Sequence, residues 1–385
     1  MKNSNLGEIL VRSKCIVDSD YDEINEISFK DILLRTNRKE LHLTIAPTNN
    51  CNFKCIYCFE QDRRNVIMDS NVIEDLISFI ASYKDIDTIG IDWFGGEPLM
   101  SIDIIEEITN HILKLNKKIN SFIVTNGYLL NKKNISTLKR LGINSAQITI
   151  DGPKEIHDKR RPLLNGNGTF DKIIKNIDNV FNEIPEFGMI IRVNIDKENS
   201  SFFKDIYSVF KERYFNRNIN VYVGFVDGIN ACASINNCNF SRTEQVEFKK
   251  NILKKHSINL GVYPSNNRKG FIAKYLNGYV VRADGMLFKC WNYIGMPERS
   301  ISNVNKPKTA NCTLFFRYFN AENNIYDEQC KGCISLPICD GGCQYTKLAK
   351  KFENKDIDIC HFAKDNLKDL LEMHYEYSLN NNRIS

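Results

Sequence analysis

The stretch Leu41-His-Leu-Thr-Ile-Ala46-Pro-Thr-Asn-Asn-Cys51-Asn-Phe-Lys-Cys55-Ile-Tyr57-Cys58 is a short β-like run that stops at a proline and opens into a polar loop with three cysteines. In folds built on parallel strands, ligands bind beyond the carboxyl ends of the strands, so this loop stands where chemistry is expected. Three thiolates so close together can hold three irons of a cubane and leave the fourth iron without a protein ligand. That open position has the logic of a catalytic zinc site, which keeps one coordination place for substrate. A closed zinc site is the competing reading. It needs a fourth ligand, and the loop offers no His or further Cys.

Outward from this loop, residues 41–225 alternate strand-like runs with amphipathic helical stretches. The expected strands are Leu41–Ala46, Thr88–Phe94, Ser121–Thr125, Ala146–Ile150, Met189–Ile195 and Asn220–Phe225. Several are near-continuous runs of β-branched residues, the pattern of parallel strands covered on both faces. Helical periodicity lies between them at Val72–Ser82, Ile102–Leu115, Ile135–Leu141, Phe170–Phe181 and Phe203–Arg213, with Asp69 or Ser70 placed to cap the first. The pattern predicts an α/β fold with a parallel sheet, open or partly closed. After Phe225 the rhythm breaks. One helical stretch (Thr243–Lys255), a hairpin with Asp284-Gly285 at its turn and a closing helix (Phe362–Tyr377) stand in sequence of little regular patterning. The division expected is an N-terminal segment 1–40, a catalytic unit 41–225, a bridging region 226–278 and a cysteine-rich unit 279–385.

With 42% hydrophobic and 26% charged residues, the 385-residue chain can bury a full core. A net charge of +5, with no long block of like charge, gives no nucleic-acid signal. The N-terminus shows no secretory pattern and no apolar run is long enough to span a bilayer, so the expected location is cytoplasmic, away from membranes. Thirteen cysteines then need a reason other than disulfides: three at 51–58, two at 232–238 and five between 330 and 360, with Cys15, Cys290 and Cys312 apart. Thiolates select zinc or iron–sulfur clusters. The segment after 279 is poor in apolar residues, and metal is expected to staple it.

The Cys51-x3-Cys55-x2-Cys58 spacing, with Tyr57 before the last cysteine, resembles the signature of the radical S-adenosylmethionine (SAM) superfamily. Gly95-Gly96-Glu97-Pro98 at the end of the second strand resembles that family's methionine-binding motif. Its glycines let backbone carbonyls approach a ligand, and Glu97 offers a negative partner for an ammonium. The resemblance implies a partial (β/α)6 barrel, with a SAM-binding [4Fe–4S] cluster on Cys51, Cys55 and Cys58. It further implies cofactor contacts from Tyr57, Gly95, Gly96, Glu97, Pro98, Asn126, Thr149 and Arg192. His157 and Asp158 read equally as a polar turn or as functional residues.

Downstream, Cys330-x2-Cys333-x5-Cys339-x3-Cys343 and then Cys360, preceded by Gly285-x4-Cys290, resemble the SPASM extension of radical enzymes that act on ribosomal peptides and proteins. The resemblance places one auxiliary [4Fe–4S] cluster on Cys330, Cys333, Cys339 and Cys360. A second would use Cys290 and Cys343, with Cys232, Cys238 or Cys312 as further candidates, because Phe271 stands where a cysteine is expected. Four cysteines suit zinc equally well.

The activity implied is reductive cleavage of SAM to a 5′-deoxyadenosyl radical that abstracts hydrogen from a peptide, with a thioether or carbon–carbon crosslink as product. The implied partners are a ribosomally made precursor peptide and a low-potential donor such as flavodoxin or ferredoxin. Since some forty residues precede the first strand, too few for the family's winged-helix recognition domain, a truncated version of it, a separate peptide-recognition protein or a leader docking on the barrel is expected to serve instead. An anaerobic sulfatase-type, formylglycine-forming enzyme is the alternative. In that branch an Asp follows the cysteine of Gly-x4-Cys, whereas Trp291 stands there here. A non-catalytic zinc protein is the alternative from another class.

Overall fold

The computed structural model describes residues 3–58, 60, 65–226, 239–261, 271–307, 311–321, 327–339, 341–357, 359–360 and 366–382. Six parallel strands appear where the sequence placed them: β1 (Glu40–Ile45), β2 (Thr88–Trp93), β3 (Lys118–Thr125), β4 (Ser145–Thr149), β5 (Gly188–Ile195) and β6 (Ile219–Phe225). Each pairs with its sequence neighbour. The outer edge of β1 is taken by β7 (Gly278–Val281), which pairs with β8 (Met286–Phe288) and on to β9 (Ser302–Asn303). With both its edges used, β1 cannot close onto β6, and the barrel stays open. The sheet also runs without a break across residue 279.

The helices are α1 (Asn3–Arg12), α2 (Glu23–Arg35), α3 (Ser70–Ala81), α4 (Ile102–Leu113), α5 (Lys132–Arg140), α6 (Lys154–Arg160) and α7 (Phe170–Glu183). They continue with α8 (Phe203–Arg213), α9 (Arg242–His256), α10 (Cys312–Ala321), α11 (Glu328–Lys331), α12 (Gln344–Glu353) and α13 (Leu367–Asn382). Local chemistry accounts for their starts. Asp69 accepts from Val72 N to cap α3, and Ser241 with Glu244 forms a capping box at α9. Apolar spacing accounts for their docking: Ile73, Leu76 and Ile80 of α3, and Ile173, Ile177 and Val180 of α7, are buried against the sheet.

Two expectations need correction, on strand burial and on the region after 279, and the N-terminal segment takes a form the sequence left open. Burial in β5 alternates residue by residue instead of being complete, so helices cover one face and the other lines the open barrel. The N-terminal segment forms two helices, and Asp31 of α2 is buried between Arg35 and Lys274 at 2.9 Å each. The region after 279 is not poor in core: Phe288, Tyr293, Ile301, Leu314, Tyr318 and Leu348 join one apolar cluster with the barrel. Helices α10 and α12 supply much of this, from periodicities too short to read with assurance in cysteine-rich sequence. The closing helix begins at Leu367, and residues 361–365 lie outside the described residues.

Candidate active site

The loop after β1 is fastened at both ends before it reaches the cysteines. Fully buried Thr48 donates to the Val66 carbonyl at 3.0 Å and accepts from Asn50 N at 3.0 Å. Next to it, the turn after β2 packs backbone against backbone: Gly96 N donates to Thr48 O at 3.2 Å and Glu97 N to Asn50 O at 2.8 Å. Both glycines are required by space. A Cβ on Gly95, whose φ is +112°, would lie 2.5 Å from Thr48 O, and one on Gly96 would meet the Asn49 and Asn50 backbone. The motif therefore locks the cysteine loop in place, a role the sequence did not disclose.

Cys51, Cys55 and Cys58 come together, each half-buried. Burial, the Glu97 carboxylate and the two neighbouring thiols push Cys51 up to about 12, while Phe53 N donates to its sulfur at 3.4 Å. Among the described residues no three His, Cys, Asp or Glu side chains are placed to share one metal ion. A cubane makes a different demand, since each thiolate takes its own iron. Three thiols on one loop, with a backbone N–H aimed at a sulfur, fit such a cluster.

Glu97 is fully buried at the start of a short 3-10 turn, Pro98–Ser101. Its carboxylate accepts from Thr125 Oγ1 at 2.6 Å, Asn126 N at 2.7 Å and Leu99 N at 3.1 Å, tying the end of β2 to the end of β3. Burial raises its pKa, opposed by those three donors. Asn126 is likewise engaged: its amide donates to Asn52 Oδ1 at 2.7 Å and its carbonyl accepts from Tyr128 N at 3.0 Å. These two residues brace the cysteine loop.

Thr149 and Arg192 are cross-strand partners on the open inner face of the sheet. Arg192 Nε donates to Asn194 Oδ1 at 2.7 Å and lies across Gly224, where a Cβ would meet it at 2.6 Å. Gln147, Tyr222 and exposed Asp92 carry the same inner face by strand register. Strand alternation could have singled out Asp92, and partial desolvation lifts its pKa, with His42 opposing.

Tyr57 is held by a buried cationic pair. Its hydroxyl accepts from Arg161 Nη1 at 2.7 Å, and Arg160 sits over its ring at 5.4 Å. Arg160 pairs with Asp196 at 2.8 Å and Asp151 at 3.5 Å. His157 and Asp158 are both engaged in hydrogen bonds within the fold. Buried His157 accepts from Asp151 N on Nδ1 and meets Thr169 Oγ1 with Nε2, which fits its pKa being lowered by burial and Arg161. Asp158 accepts from Thr169 N and Phe170 N to start α7. Arg161 and Asp196 were missed in the sequence, because their partners Tyr57 and Arg160 lie 104 and 36 residues away and such pairings have no local signature.

In the C-terminal region the thiols fall into two groups. Burial and Asp327 push Cys330 up to about 11, with Cys339 and Cys333 adding to it, and Cys339 in turn feels Cys360 and Cys333. Gly341 N donates to the Cys339 sulfur at 3.2 Å. Separately, burial and Cys343 push Cys290 up to about 12. Cys312 is exposed at the start of α10, and Cys232 and Cys238 lie outside the described residues. Trp291 stacks on Phe94, the residue before Gly95, at 5.4 Å and 22°.

Comparison with known proteins agrees with this geometry. Residues 45–209 match the Radical SAM superfamily. A cysteine-type anaerobic sulfatase-maturating enzyme of Clostridium novyi is 27% identical over 344 residues, covering 80% of this chain and 89% of its own. Among solved structures, anSMEcpe with bound AdoMet superposes with a TM-score of 0.65 at 20% identity, covering 89% of this chain and 94% of that one. Streptococcus suis SuiB bound to precursor peptide SuiA gives 0.60 at 16% identity, covering 94% and 88%. Among the described residues no helix is long and apolar enough to cross a membrane. A barrel open at its strand ends, three thiols on the first loop and the superfamily match over 45–209 lead to one conclusion: the chain is a radical SAM enzyme, of the fold shared with SPASM-type maturases, that works with a [4Fe–4S] cluster and SAM.

Proposed function

We propose that this enzyme modifies a ribosomally made precursor peptide, forming a thioether or carbon–carbon crosslink. The observation that carries the choice of reaction is Trp291, 38% exposed and stacked on Phe94 beside the Gly95-Gly96 turn. Where the formylglycine-forming branch is expected to hold an aspartate base, this site presents an indole, which has no proton-accepting group. The peptide nature of the substrate is supported by two relatives in fold, one solved with the Cp18Cys peptide and one with precursor peptide SuiA. The half-buried polar face of Gln147, Arg192, Asn194 and Tyr222 gives the open barrel a surface to receive a chain.

When bound at Cys51, Cys55 and Cys58, the cluster and SAM supply the hydrogen-abstracting radical. In this reading half-buried Arg192 and its buried cross-strand partner Thr149, on the inner face, are the side chains that meet the cofactor, whereas Glu97 and Asn126 hold the loops that shape its seat. Cys330, Cys333, Cys339 and Cys360 hold an auxiliary cluster, and Cys290 with Cys343 contributes to another. Residues 41–225 form the radical unit, 226–278 the bridge and 279–385 the auxiliary unit. A flavodoxin or ferredoxin supplies electrons in the cytoplasm, with a separate protein presenting the peptide.

The formylglycine reading has its own support in the 27% identity to a sulfatase-maturating enzyme along most of both chains. Reconstituted protein, SAM and reductant are incubated with a candidate precursor peptide and, separately, with a sulfatase-derived cysteine peptide. Loss of two hydrogens per crosslink, with no aldehyde trapped by hydrazide, supports crosslinking. A hydrazide-reactive aldehyde on the sulfatase peptide, with the precursor untouched, overturns it.

A further inference from the structure

We propose that Arg161 is the fixed positive charge that sets the reduction potential of the cluster held by Cys51, Cys55 and Cys58. The proposal rests on that ligand set and is independent of the substrate. The cysteine loop runs antiparallel to the segment after α6. Phe53 bridges to Leu163, Lys54 N donates to the Pro162 carbonyl at 2.8 Å, and Ile56 N donates to the Arg160 carbonyl at 3.1 Å. This register puts Cys55 directly opposite Arg161. Residues so opposed have Cβ atoms roughly 4.5–5.5 Å apart.

The side chain is held there. Arg161 is 8% exposed, donates through Nη1 to Tyr57 and lies over the Phe53 ring at 5.7 Å. The neighbouring Arg160 takes both carboxylates, Asp196 and Asp151, as ion-pair partners. Among the described residues Arg161 has no such pair, and its Nε has no hydrogen-bond partner. A guanidinium does not lose its proton, so the charge is present at every working pH. The buried cation, which shares Asp151 with Arg160 but has no ion pair within 4 Å among the described residues, thus faces the loop that will carry three thiolates.

Reduction moves one electron from a low-potential reductant to the cluster, with no bond made or broken and no proton transferred, so the site gains one negative charge. A fixed cation a few ångströms away, where water is scarce, favours the reduced form by about ten- to a hundredfold in equilibrium constant. Tenfold corresponds to about 59 mV for one electron. Asp151, fully buried and interacting with Arg161 and Tyr57, acts in the opposite sense.

The test is an EPR-monitored redox titration of the reconstituted holoenzyme. The relevant signal is the one altered by added SAM and absent from the Cys51/Cys55/Cys58→Ala variant. Arg161→Gln keeps a donor for Tyr57 but loses the charge, and its midpoint should fall by at least about 59 mV, a tenfold loss. Arg161→Lys should restore most of that shift, and Asp151→Asn should move the midpoint upward. An unchanged midpoint in iron-replete Arg161→Gln, or shifts of the same sign in Arg161→Gln and Asp151→Asn, overturns the proposal. If Arg161→Gln fails to take up iron, Asp151→Asn decides: a rise supports the assignment, and a fall or no change refutes it.

Discussion

Gly96→Ala isolates the role of the turn after β2, because Gly96 does not occupy the left-handed region and only space forbids a side chain. The added Cβ would lie 2.5 Å from the Asn50 carbonyl carbon and 2.6 Å from Asn49 O, where real side chains keep at least 3.0 Å. The nearest atom, Asn50 O, is closer still, so one of the two loops must retreat by well over half an ångström, and neither neighbour is a flexible side-chain end that could yield cheaply. The retreat strains the two bonds that hold the loops together, from Gly96 N to Thr48 O and from Glu97 N to Asn50 O. Each is worth about 0.5–1.5 kcal/mol net, so their loss comes to roughly 1–3 kcal/mol. That free energy is also lost to cluster binding, since Cys51 follows Asn50 directly, and it corresponds to about a five- to hundredfold weaker hold on iron. The assay is iron and sulfide content after anaerobic reconstitution, followed by the rate of iron loss to a chelator. Gly7→Ala in α1, where a Cβ meets nothing within 4 Å, is the control and should behave as wild type. A Gly96→Ala protein with full iron and wild-type chelator resistance would refute the reasoning.

Glu97→Ala should lower thermal stability even without SAM, because Thr125, Asn126 and Leu99 lose their shared acceptor, at about 1–3 kcal/mol for buried donors left unmet; an unchanged melting temperature with weakened SAM binding would restore the ammonium-partner role. Asp31→Ala should destabilise by roughly 3–5 kcal/mol in denaturant titration, since buried Arg35 and Lys274 lose the carboxylate between them, and a second change, Lys274→Met, should recover part of it. Asp92→Asn should spare 5′-deoxyadenosine release but reduce peptide modification at least about tenfold if the inner-face carboxylate accepts a proton; equal coupling in mutant and wild type would remove it from the chemistry. Chelator-stripped protein should be cut by protease in 327–360 while α10 and β7–β8 persist, because these pack into the barrel core; wholesale loss of everything after 279 would return metal to the organising role.

The sequence by itself determined the six strands, most of the intervening helices and the positions of the thiols. Those signals are local: a period of two or of 3.6, a capping side chain, and cysteine spacing set by what a cluster loop can reach. It also pointed to the superfamily, through two motifs at consecutive strand ends. Tertiary structure decided what those motifs do. Gly96 is glycine because a loop from another strand passes within contact distance, and Glu97 is spent on β3. Cys55 faces Arg161 only because a loop folds back antiparallel across 106 residues of chain. The addition of β7 to β1, which keeps the barrel open and extends one sheet into the cysteine-rich region, was equally invisible. Pairings of this kind depend on which backbones meet in space, and no periodicity along the chain records that.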